Sequence, residues 1–158
     1  PGRGTMFNIH LPSVTLEVSE SEEAASDLRG GTETLLLAED DQYVREIIGE
    51  ILREYGYTVV EAEDGEDAVS KCRDMHDSID LLILDVVMPG KNGKETYDDI
   101  QSINPLIPVI FMSGYTGDIV IAKGIQNTTV DYISKPVDPP ELLNKIREVL
   151  ERESTKFC

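Results

Sequence analysis

Residues 81–93 read LLILDVVMPGKNG. Four apolar residues in succession, Leu81 to Leu84, mark a strand covered on both faces, since a strand wet on one side would alternate. The run breaks on Asp85, and Pro89-Gly90 and Asn92-Gly93 turn the chain before a helical pattern starts near Lys94. Other apolar runs also end in polar residues. Thr34–Ala38 (TLLLA) runs into Glu39-Asp40-Asp41, Pro108–Met112 into Ser113-Gly114, and Asp131–Ser134 into Lys135-Pro136. Tyr57–Glu61 supplies one more strand, the second along the chain.

Helical patterns fill the gaps. Val44, Ile47, Ile48, Ile51, Leu52 and Tyr55 recur at steps of three and four, which puts them on one apolar face that Gly56 terminates. Asp64–Arg73 and Lys94–Ser102 form the next two helices, and Gly117–Gly124 a fourth, rich in β-branched residues that form helices poorly. Asp138-Pro-Pro-Glu141 opens the last helix with an aspartate cap, and Leu142, Leu143, Ile146, Val149 and Leu150 make its buried face. Five strand-then-helix repeats imply an α/β, doubly wound fold. Its parallel sheet is covered on both faces because each crossover is right-handed. In strand order 2-1-3-4-5 the carboxyl ends of the strands gather at a switch point, where such sheets bind ligands.

The chain carries 31 acidic against 14 basic residues, a net charge of −17 that argues against nucleic acid or anionic lipid as a direct partner. It contains no run near the ~18 apolar residues a membrane span needs, so no direct membrane contact is expected. Cys72 and Cys158 lie too far apart for a disulfide framework or zinc site and read as reduced thiols of a cytoplasmic protein. His10 and His76 lack partners at catalytic or ligand spacing. Residues 32–153 read as one domain and 154–158 as a tail. Residues 17–31, acidic and serine-rich with a closing Gly-Gly, read as a linker. The chain starts at Pro1, which suggests a piece of a longer protein.

At the carboxyl edge, then, Glu39, Asp40, Asp85, Ser113 and Lys135 converge. Taken singly, Asp85 reads as a turn cap, Ser113 as a loop hydroxyl and Lys135 as a solvated lysine; Asp41 is the N-cap of the first helix. Their joint placement favours a site. Clustered carboxylates resist joint ionisation without a cation, and an all-oxygen set suits Mg²⁺. A central Asp85 beside Mg²⁺ and Lys135 is placed to attack a phosphoryl group.

AEDD at 38–41, LLILDVVMPGKNG, VIFMSGYTG at 109–117 and DYISKP at 131–136 together resemble the receiver domain of two-component response regulators, a CheY-like, flavodoxin-like (βα)5 fold. The resemblance implies Asp85 as phosphoacceptor and Glu39 and Asp40 as the acidic pair. It gives the metal a backbone carbonyl from Val87, makes Ser113 the switch hydroxyl, and pairs Lys135 with a cis bond to Pro136. Tyr132 takes the place of an aromatic that turns inward on activation; by itself it reads as packing. The face of the fourth helix, fifth strand and last helix would carry the signal. The implied partner is a phosphohistidine donor, either a kinase phosphotransfer domain or a histidine phosphotransfer protein.

Residues 1–16, with Gly2-Arg3-Gly4-Thr5-Met6-Phe7 and an alternating strand stopped by Pro12, resemble the end of a histidine-kinase ATPase domain. The parent expected on that ground is a hybrid sensor histidine kinase, of which this segment would catalyse its own aspartyl phosphorylation and dephosphorylation only. Two alternatives belong to other classes. An unphosphorylated receiver-like interaction module would usually lose an acidic-pair member, the aspartate or the lysine. A phosphatase with the same nucleophile would want an acid where Val87 stands.

Overall fold

The computed structural model describes residues 28–75, 77–114 and 131–156. Among them β1 (Thr34–Ala38), α1 (Gln42–Glu54), β2 (Thr58–Ala62), α2 (Gly65–Asp74), β3 (Leu81–Asp85), α3 (Gly93–Gln101), β4 (Val109–Ser113), β5 (Asp131–Ser134) and α4 (Pro139–Lys156) follow in order. The strands form one five-stranded sheet in the order β2-β1-β3-β4-β5, and every pairing is parallel.

Strand alternation divides the core into two layers. Leu36, Leu82, Leu84 and Phe111 face α2 and α3, where Ala68, Cys72, Tyr97 and Ile100 meet them. Leu35, Leu37, Ile83, Ile110 and Met112 face α1 and α4, against Ile48, Leu52, Leu142 and Ile146. Each Leu, Ile, Met or Phe among these, taken fully out of water, contributes about 1.5–3 kcal/mol before entropy is counted. All five apolar residues expected on the last helix are buried. Cys72 is fully buried, and burial pushes its thiol above the ordinary value, as suits a packing residue.

The helices start where their caps dictate. Asp41 Oδ1 accepts from the Tyr43 and Val44 amides at 2.9 and 3.1 Å. Asp64 accepts from the Asp67 amide at 2.8 Å, Asn92 and Glu95 form a capping box, and Asp138 accepts from the Glu141 amide at 3.2 Å. Gly56, at φ 93°, ends α1 in a backbone conformation that side chains disfavour.

Several boundaries shift from the sequence reading. Tyr57 is buried, yet its amide bonds the Leu52 carbonyl at 3.2 Å and closes α1, so β2 begins one residue later. Ile47, read as part of the buried face, is 58% exposed, because Val44, Ile48 and Leu52 already set the face centre. The last helix runs through Lys156, into the segment read as a tail. The end of the segment read as a linker packs on the domain. Leu28 adjoins the core, Arg29 pairs with Glu151 at 3.0 Å, and the Gly31 amide bonds the Tyr55 carbonyl at 3.1 Å. The helix expected in Gly117–Gly124, His10, His76, Cys158 and the readings of residues 1–27 lie outside the described residues.

Candidate functional site

Parallel register brings the strand ends level. Ala38 pairs with Leu84, Asp85 with Met112, and Ser113 with Ser134. The residues at or just past these ends therefore meet at one rim: Glu39 and Asp40 after β1, Asp85 ending β3, Ser113 ending β4, and Lys135 after β5. Apolar sheet beneath them excludes water, so Glu39, Asp85 and Ser113 are 1%, 5% and 4% exposed.

Carboxylate oxygens of Glu39, Asp40 and Asp85 lie within 4.8 Å of one another. Lys135 Nζ donates to Glu39 Oε2 and to Asp85 Oδ2, both at 2.7 Å. The Val87 amide donates to Asp85 Oδ1 at 3.2 Å, which leaves both Asp85 oxygens oriented. The Lys135 amide donates to the Ser113 carbonyl at 2.8 Å, tying the lysine loop to the end of β4, and the Lys135-Pro136 bond is cis.

The charges do not balance. Burial pushes the Glu39 carboxyl above its ordinary value, and the neighbouring Asp85 charge adds to this, against the Lys135 hydrogen bond. Burial also works against the Lys135 ammonium, but its hydrogen bonds to Asp85 and Glu39 outweigh that and raise it. Three carboxylates face one ammonium in the cluster, so negative charge exceeds cation here. Asp40, exposed beside the buried pair, leaves an all-oxygen carboxylate set open to solvent. Such a set fits a hard divalent cation.

Of the residues picked out in the sequence, Glu39, Asp40, Asp85 and Lys135 are brought into one cluster, with Ser113 and Val87 adjoining through backbone hydrogen bonds. Tyr132 lies apart from them. Its ring stacks on Phe111 at 6.1 Å, within the layer facing α2 and α3, and burial pushes its phenol upward.

The sequence reading missed Arg45 and Glu61. Arg45 donates to the Glu39 carbonyl at 2.5 Å, and its Nε lies 3.6 Å from Glu61 Oε2. The available signal was an arginine one turn into a helix that follows an acidic pair.

The sequence profile of the response regulator receiver domain matches residues 35–147. The chain belongs to the response regulator receiver family. Sensor kinase CckA of Brucella abortus is 32% identical over 162 residues, covering 96% of this chain and 17% of that protein. Transcriptional regulatory protein CpxR of Escherichia coli K12 is 36% identical over 75% of this chain and 49% of its own length. The chain thus spans half or less of these two curated relatives.

Solved receivers superpose well. The receiver domain of the hybrid histidine kinase CckA matches with a TM-score of 0.64 and 34% identity, covering 74% of this chain and 98% of its own. Vibrio cholerae chemotaxis protein CheY4 matches with a TM-score of 0.68 and 25% identity over 75% of this chain and 99% of its own. The receiver has the CheY-like architecture, with five parallel strands in the order 2-1-3-4-5, and works in two-component signal transduction. Receiver domains of such systems take a phosphoryl group from histidine kinases or phosphotransfer proteins, and no helix among the described residues is long and apolar enough to cross a membrane.

Proposed function

We propose that this receiver accepts a phosphoryl group from phosphohistidine onto Asp85. The observation that carries the reading is the single cluster in which Lys135 bonds both Glu39 and Asp85 while Asp40 leaves the acidic set open. Asp85, its oxygens oriented by Lys135 and the Val87 amide, supplies the nucleophile. An Asp85 oxygen forms a bond to phosphorus as the phosphorus–nitrogen bond of the donor breaks, and the imidazole leaves with that electron pair and takes up a proton. Lys135 stays near the equatorial oxygens and offsets their charge, and the Ser113 hydroxyl is the second donor at the rim. Glu39, Asp40 and Asp85, with the Val87 backbone carbonyl, would hold Mg²⁺, which supplies further charge neutralisation when bound. Tyr132 acts as a switch residue whose packing on Phe111 changes with the state of Ser113.

The parent we infer is a hybrid sensor histidine kinase, with residues 1–16 ending its ATPase domain, 17–31 the linker and the receiver following. Supporting this is the alignment with sensor kinase CckA, which extends over 96% of the chain, whereas that with CpxR covers 75%. We infer that the reaction takes place in the cytoplasm. Incubation with a small phosphodonor and Mg²⁺ tests the acceptor role: the native chain incorporates phosphate and Asp85→Asn does not. Equal incorporation by the variant refutes it.

A further inference from the structure

The Glu39-Asp40 pair sits in the short connection between β1 and α1, where the β1–β2 ladder ends, so its backbone is held by the last ladder bond and by whatever groups reach it beyond the strand. The Glu39 amide donates to the Ala62 carbonyl at 3.2 Å, and the Glu39 carbonyl accepts from Arg45 Nη1 at 2.5 Å. The guanidinium is itself gripped. Its side chain is 13% exposed, and Glu61 Oε2 lies 3.6 Å from Nε.

Glu61 is fixed in turn. Its Oε1 pairs with Arg53 Nη2 at 2.6 Å, and its carbonyl accepts from Lys71 Nζ at 2.7 Å. Gly49 of α1 leaves the room this assembly needs. A Cβ there would stand 2.8 Å from Glu61 Oε1 and 3.0 Å from Arg53 Nη1. Charged donors to a carbonyl make stronger bonds than neutral ones, and the planar fork of arginine can serve the carbonyl and Glu61 together.

We infer that Arg45 is a positioning residue: its guanidinium, oriented by Glu61, clamps the Glu39 carbonyl and so aims the Glu39 and Asp40 carboxylates into the cluster with Asp85. This deepens the acceptor reading and rests on it for the use of the cluster, while the clamp itself can be read without any cation. Two effects of Arg45 on cation affinity have opposite signs. As a positive charge near the acidic cluster it repels a cation; as a clamp it favours one by holding the ligands together. The sign of the change on its removal therefore distinguishes them.

The test compares Arg45→Met, which keeps the stem and loses donor and charge, with Arg45→Lys, which keeps both. Amide hydrogen exchange is read at Glu39 and Asp41 in cation-free buffer, with Leu36 and Ile83 as core controls, and Mg²⁺ binding is followed by calorimetry. The clamp predicts that Arg45→Met exchanges faster at Glu39 and Asp41 but not at the core controls, and binds Mg²⁺ about tenfold more weakly, as for other outer-shell partners. Arg45→Lys, which keeps charge and a donor but lacks the fork, restores part of both. Unchanged exchange in Arg45→Met, or tighter Mg²⁺ binding, overturns the inference. Should Arg45→Met fail to fold, Glu61→Gln is judged by the same exchange criterion in either direction. A native chain that binds no Mg²⁺ refutes the acceptor reading instead, and exchange alone then decides the clamp.

Discussion

Replacing Asp40 by asparagine should make the cation-free protein more stable. Asp40 is exposed, and its carboxylate lies within 4.8 Å of those of Glu39 and Asp85. At that separation and with water-like screening, each like-charged pair costs about 0.9 kcal/mol. Attraction to the Lys135 ammonium offsets part of this and leaves a net repulsion of about 1 kcal/mol. For a chain of this length the gain corresponds to a Tm rise of about 2–4 °C. Urea unfolding in EDTA measures it directly, and repetition in Mg²⁺ adds the decisive contrast. The native chain gains stability as the cation binds its folded state, whereas Asp40→Asn has lost a ligand and gains much less, so the order of stabilities narrows or reverses. A variant less stable than the native chain in EDTA would refute the charge argument. An equal Mg²⁺ response in both would remove Asp40 from the ligand set.

Two further predictions concern the scaffold. Phe111 is fully buried, edge-on to Tyr97 at 5.8 Å and stacked on Tyr132 at 6.1 Å. Phe111→Ala should cost about 3–5 kcal/mol in urea unfolding, and a loss below about 1 kcal/mol would contradict this packing. Burial acts to raise the Glu33 carboxyl, but the Arg147 hydrogen bond at 2.8 Å, backbone hydrogen bonds and the Arg147 charge together outweigh it and hold the group below its ordinary 4.5. Its stabilising contribution is complete above that value and is lost as pH falls below it through the lowered folded value. Stability of Glu33→Gln should accordingly fall less between pH 7 and the acid limb, and parallel curves would rule the ion pair out.

Much of the sheet could be read in advance because its strands are buried on both faces. Leu35–Ala38 and Leu81–Leu84 are wholly inside, so their continuous apolar runs have no solvent-facing gap. The site was legible for the same reason: a charged residue directly after such a run has nowhere to go but the rim. Strand ends were harder to fix, because Asp85 and Ser113 join ladders with Met112 and Ser134 despite being polar. Ile47 shows that an apolar residue at helical spacing can still face water. The place of Arg45 one turn into α1 was visible, but its role was not, because its partner is a backbone carbonyl and because Glu61 arrives from a different strand.

Trapping the phosphorylated residue itself goes to the core of the account. After reaction with a small phosphodonor and Mg²⁺, borohydride reduction converts an aspartyl phosphate to homoserine, and peptide mass spectrometry locates it. Conversion confined to Asp85 is the predicted result; conversion at Asp40 or Asp41, with Asp85 intact, would contradict it.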